Sequence, residues 1–106
     1  MNIYHDLFGR RIRLTQERND HIKDFHPEMK RQLAKIKQTL LVPNKVIRSK
    51  SDKDVQLFYK FYEKTPVKNK FLCVVVKAVK NDYFILTAYF TDAIKRGESL
   101  WTKINK

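Results

Sequence analysis

At Val42 the hydrophobic period of this chain changes from that of a helix to that of a strand, and the switch limits the folds open to it. Before it, Ile22, Phe25, Met29, Leu33, Ile36 and Leu40 recur at spacings of three and four, the apolar face of a helical region. Lys30, Arg31, Lys35 and Lys37 point elsewhere. Pro27 divides the region, because proline sits well in the first turn of a new helix and badly inside an old one. The expectation is a short helix with Thr15 as its N-cap, a junction at His26, and a longer helix. After Val42, "VPNKVIRSK", "DVQLFYKFYE", "FLCVVVKAV" and "YFILTAYF" read as strands. Helices first and a meander of strands after them make an α+β domain: N-terminal helices followed by an antiparallel four-stranded sheet. The 106 residues suffice for one core, so 1–106 is read as a single domain. Residues 1–10 read as a flexible segment or a β-arm. Gly9 sets off "RRIRLT", whose alternation suggests a short edge strand with a basic outer face.

The last two strands can be placed in register. Leu72, Val74, Val76 and Ala78 form one apolar face, and Phe84, Leu86, Ala88 and Phe90 form another. A one-residue slip turns a strand over, so these faces merge only across an odd loop such as Lys80, Asn81 and Asp82. The opposite face then gathers Cys73, Val75 and Lys77 beside Ile85, Thr87 and Tyr89. Beyond it, Thr91 and Asp92 are expected to cap a helical turn ending at Gly97, with Leu100 and Trp101 anchoring the tail.

Charge narrows the partners. Lys and Arg number 23 against 11 acidic residues, a formal net charge of +12, and such an excess repels itself unless a polyanion offsets it. Nucleic acid is the first partner to consider. Attachment to an acidic membrane needs a bulky amphipathic basic helix or a lipid anchor, and neither is evident. A secretory h-region and a run of ~18 apolar residues are absent too, so neither export nor membrane insertion is expected. The one cysteine, Cys73, forms no internal disulfide and fits a cytosolic protein. With only Gly9 and Gly97 there is no glycine-rich phosphate loop. His5, His21 and His26 lack metal-ligand spacing, so no metal or cofactor is expected. What remains is the inventory of a metal-independent ribonuclease. Such an enzyme needs a base for the ribose 2′-OH, an acid for the leaving 5′-oxygen, and cations around the phosphorane.

The segments "TQERNDHIKDFHPEM", "IKQTLLVPNKVIRS", "LFYKFYE", "LCVVVKAV" and "FILTAYFTDAIKRGESLW" occur in an order that resembles a known group. These are the small phage- and plasmid-associated nuclease domains grouped with the barnase, EndoU, colicin and RelE ribonucleases. The likeness spans about Arg13 to Trp101. It implies a BECR-like ribonuclease fold and endoribonuclease activity with toxin character, with RNA as partner and an inhibitor protein holding it in check. It also implies roles by position: His21, Lys77, Thr87 and Tyr89 as catalytic groups, with Arg48 and Thr91 contacting RNA; Arg18 and Tyr59 are further candidates for RNA contact, the tyrosine as a ring for a splayed base.

Each of these residues has a plainer reading. His21 is a surface residue with Glu17 one turn back, and His26 a junction cap before Pro27. Thr87 and Tyr89 are ordinary strand residues, and Cys73 a small buried apolar one. Tyr59, Phe61 and Tyr62 suit a core as well as a stack of bases. Lys77 interrupts an apolar strand, where an unpaired ammonium is costly. Two other functions stay open: a catalytically silent RNA- or DNA-binding module, and a small interaction protein with an acidic protein partner.

Overall fold

The computed structural model describes residues 1–104. Seven strands and two helices appear in chain order: β1 (Asn2–His5), β2 (Arg11–Leu14), α1 (Gln16–Phe25), α2 (Leu33–Leu41), β3 (Lys45–Arg48), β4 (Val55–Tyr62), β5 (Lys70–Val79), β6 (Asp82–Thr91) and β7 (Glu98–Thr102). A 3-10 turn over Pro27–Met29 separates the helices. The strands form one sheet in the order β1-β2-β6-β5-β4-β3-β7. β2 runs parallel to β6, and the other neighbours are antiparallel.

This corrects the expected four-stranded antiparallel sheet: the domain is α+β, and its sheet is seven-stranded and mixed. The four expected strands are its centre. The additions are short strands stabilised by distant partners. Residues 2–5 pair with β2, so the N-terminal segment belongs to the sheet. β2 is an interior strand, between β1 and β6. The helical turn expected to end at Gly97 does not form, and the tail expected to anchor through Leu100 and Trp101 forms β7 on β3, with a register shift that leaves Leu100 without an opposite residue.

Local chemistry sets the helix ends. Thr15 is extended, and its hydroxyl accepts the Arg18 N–H at 3.2 Å. His26 precedes proline and is pushed toward extended backbone, φ −134 and ψ 76, which ends α1. Arg31 then takes a left-handed φ of 62 before α2 begins.

The helices cover one face of the sheet. Ile22, Met29, Ile36 and Leu40 are buried there against Val46, Phe58, Leu72, Val74, Val76, Ile85 and Ala88. Each such aliphatic side chain contributes roughly 1.5–3 kcal/mol by burial. A polar staple holds the β1–β2 hairpin to that body. The buried Asp6 carboxylate accepts the backbone N–H groups of Phe8 and Arg10, each at 2.9 Å, and Arg10 Nε at 2.7 Å. Arg10 Nη2 donates onward to Gln56 on β4 at 2.6 Å.

The β5–β6 hairpin keeps the expected register only over Phe71–Val75. Its loop is the two residues Lys80 and Asn81, with Lys80 at φ 49, rather than an odd loop. A bulge between Val75 and Val76 absorbs the difference by leaving Leu86 unopposed. Ile85 therefore enters the helix-covered core, and Phe84 stands opposite Lys77.

Gly97 joins the last bend to β7 beneath β3, where an added Cβ would collide with the carbonyl oxygen of Arg48. Backbone cannot give way cheaply. Gly97→Ala is expected to cost about 1–3 kcal/mol in chemical denaturation, the range for overpacking a filled site.

Candidate functional site

The sheet face away from the helices carries a second cluster: Ile47, Val55, Leu57, Tyr59, Cys73 and Val75, with Phe71, Leu86, Tyr89 and Ile94 against it. The segment after β6 covers part of this face, because the Lys95 N–H donates to the Tyr59 hydroxyl at 3.2 Å. Cys73 stands opposite both Tyr59 and Tyr89, so the thiol and the two phenol side chains share this face. Burial pushes the Cys73 thiol up to about 11, against smaller lowering contributions from the two tyrosines and Lys95. Burial, with Cys73 beside them, also raises the Tyr59 and Tyr89 phenols. At neutral pH all three keep their protons, so none serves as a base or an anionic nucleophile.

At the margin of this cluster sits His26. Its ring centroid lies 5.5 Å from that of Tyr89, with the planes 33° apart. Its Nδ1 is 3.8 Å from Glu28 Oε2, an ion-pair distance for the protonated imidazole. The Pro27 junction produces this arrangement: it stops α1 at His26 and places Glu28 in the following turn. The His26 side chain makes no capping bond and is 34% exposed. A carboxylate near one nitrogen of a solvent-reachable ring suits an imidazole to carrying a proton.

The predicted site residues are not gathered in one place. His21 is half-buried on α1 and lies over Phe25 at 4.5 Å, while Phe25 itself is 69% exposed. Lys77 Nζ donates to Asp52 at 2.6 Å. It is four residues along β5 from Cys73, the residue opposite Tyr89, so roughly 13 Å separates it from that tyrosine. No single phosphate group touches both. Thr87 lies between them, opposite Val75, with its hydroxyl oxygen buried and unbonded. Tyr59 is fully buried and belongs to the core rather than to a base-stacking surface. The Thr91 hydroxyl accepts the Ala93 N–H at 3.4 Å and shapes the bend after β6. Arg48 stands on β3, three strands from β6, with Nε 3.3 Å from Glu98 Oε1 but outside hydrogen-bond geometry. Arg18 is half-buried in the first turn of α1.

Sequence reasoning passed over His26 as a junction residue. The signal was in "HPE": proline fixes the backbone of the histidine before it, and the glutamate follows within reach. Phe84 was assigned to the core because the bulge is invisible in a periodic reading. Among the described residues, no three His, Cys, Asp or Glu side chains form a metal-binding cluster, and no helix is long and apolar enough to cross a membrane. Comparison of the chain with protein families, with curated proteins and with solved structures finds no match.

Two outcomes follow from the protonation states. Cys73 in the native protein is expected to resist a thiol-reactive disulfide reagent at mildly alkaline pH and to react fully once denatured. Rapid native labelling would contradict its burial. The Asp52 carboxyl is held below its ordinary 3.8, first by the Lys77 hydrogen bond and then by the Asp54 N–H. A carboxyl lowered in the folded state contributes stability above its unfolded pKa and loses it as pH falls through the folded value. Asp52→Asn is therefore expected to lower Tm at neutral pH and to narrow the Tm difference between about pH 7 and about pH 3.

Proposed function

We propose that this protein is an endoribonuclease that cleaves RNA without a metal ion, with His26 as the proton carrier. The observation that supports the reading is the His26 imidazole, lodged between the Tyr89 ring and the Glu28 carboxylate in a chain of net charge +12. His26 Nε2 takes the ribose 2′-OH proton as the 2′-oxygen attacks phosphorus. The bond from phosphorus to the 5′-oxygen then breaks, and the imidazolium returns the proton to that departing oxygen. The products are a 2′,3′-cyclic phosphate and a 5′-hydroxyl, so atoms and charge balance. Tyr89 supports the imidazole and is a positioning residue, because its hydroxyl is turned into the Cys73 cluster. Charge on the phosphorane falls to Lys95, whose segment is held beside Cys73. Lys77 is too distant for that task.

A second reading, an RNA-binding module without catalysis, is favoured by one observation: Lys77 is held by Asp52 and the Thr87 hydroxyl is enclosed. Single-turnover cleavage in chelator separates the two. The parent is expected to cut and to leave a 2′,3′-cyclic end, and a 2′-deoxy substitution at the cleavage site is expected to abolish the reaction. His26→Ala is expected to lose about 10²- to 10⁴-fold in rate, the span for removing a general acid–base group. Lys95→Ala is expected to lose about 10²- to 10³-fold, and His21→Ala to remain near the parent. A 5′-phosphate product, or equal rates for His26→Ala and the parent, would refute the assignment.

A further inference from the structure

Arg13, Phe84 and Lys77 stand side by side across three strands. Arg13 on β2 is directly opposite Phe84 on β6, and Phe84 is directly opposite Lys77 on β5. Directly opposite residues share a sheet face, here the helix-free one, because Ile12 and Leu14 on the alternate positions of β2 are buried in the helix-covered core. The bulge at Leu86 creates this row by moving Phe84 out of the core register. The outcome is a half-buried aromatic ring flanked by two cations.

Both cations are held in place and keep unused donors. The Arg13 guanidinium carbon lies 5.5 Å from the Phe84 centroid, and Nη2 donates to the two Asp82 carboxylate oxygens at 2.8 and 3.0 Å. Its Nε and Nη1 have no partner among the described hydrogen bonds. Lys77 gives one of its ammonium protons to Asp52. Beside Arg13 opens a cleft of about 350 Å³, lined by Ile3, Arg11, Arg13, Asn81, Asp82 and Tyr83.

We infer that the row is a nucleotide subsite for single-stranded RNA, in which one base stacks on the Phe84–Arg13 pair and the flanking phosphates take the free donors of Arg13 and Lys77. An aromatic surface between two cations matches the alternation of base and phosphate along a single strand. An acidic peptide offers no flat π-surface between its charges. The subsite rests on the ribonuclease reading for the identity of its ligand. At roughly 13 Å along the sheet from Tyr89, it grips the strand away from the phosphate being cut.

The test is fluorescence anisotropy with a labelled 2′-O-methyl oligouridine, which lacks the 2′-nucleophile and stays intact, titrated across a salt series. The parent is expected to bind, with log affinity falling linearly in log salt. Phe84→Leu keeps the apolar volume and removes the ring; it is expected to weaken binding about tenfold or more with the salt slope unchanged, and Phe84→Tyr to restore it. Arg13→Gln is expected to reduce the slope by about 0.7, one phosphate contact on a single strand. Thermal melts select variants that fold as the parent does. No binding by the parent overturns the subsite, as does equal affinity of Phe84→Leu or an unchanged slope in Arg13→Gln. A parent that binds the oligouridine but leaves unmodified RNA uncut removes the ribonuclease reading and leaves the subsite standing. A parent that cuts while Phe84→Leu binds normally removes the subsite alone.

Discussion

The parallel contact between β2 and β6, made through Arg13 and Phe84, fixes the direction in which the chain leaves the sheet. Because β2 runs the same way as β6, α1 continues along the margin of β6 instead of doubling back. α1 packs against β6, and Pro27 stops it with His26 against the Tyr89 ring. An antiparallel β2 would send α1 toward the opposite end of β6. The buried Asp6–Arg10–Gln56 network matters for the same reason, since it holds the hairpin that presents β2.

The parts of this architecture readable in sequence are those decided by near neighbours. The apolar stripe through Ile22, Met29, Ile36 and Leu40, the Thr15 cap, and the pairing of Leu72 with Phe90 and Val74 with Ala88 all follow from local period and side-chain chemistry. The illegible parts depend on distant partners. "NIYH" and "ESLWT" carry weak strand signals and become β1 and β7 because β2 and β3 offer edges to them. Phe25, counted in the stripe, is 69% exposed although it lies within α1. The hairpin shows how a sound rule reaches a wrong face. Parity was correct from Phe71 to Val75, and one unopposed residue at Leu86 reversed everything nearer the turn.

The same boundary governs where the candidate site residues come to lie. Lys77, Thr87 and Tyr89 do share a face, as alternation requires, but a strand spreads alternate residues along its length instead of collecting them. The histidine that reaches the sheet is chosen by where α1 ends. His21, five residues earlier, stays on the helix beside Phe25. The His26–Tyr89 contact and the row of Arg13, Phe84 and Lys77 therefore lie at different ends of β6.

Each cation at the second end is paired with a carboxylate that offsets part of its charge. An exposed ion pair is worth about 0–1 kcal/mol and is screened by salt. Asp82 and Asp52 are 58% and 40% exposed, so their pairs with Arg13 and Lys77 fall in the weak class. They hold the side chains in position, which lowers the rotamer entropy that binding of a polyanion would cost. The uncompensated charge of +12 across the chain supplies the long-range attraction that the local pairs give up. A carboxylate beside each cation is therefore compatible with the polyanion binding proposed for this face.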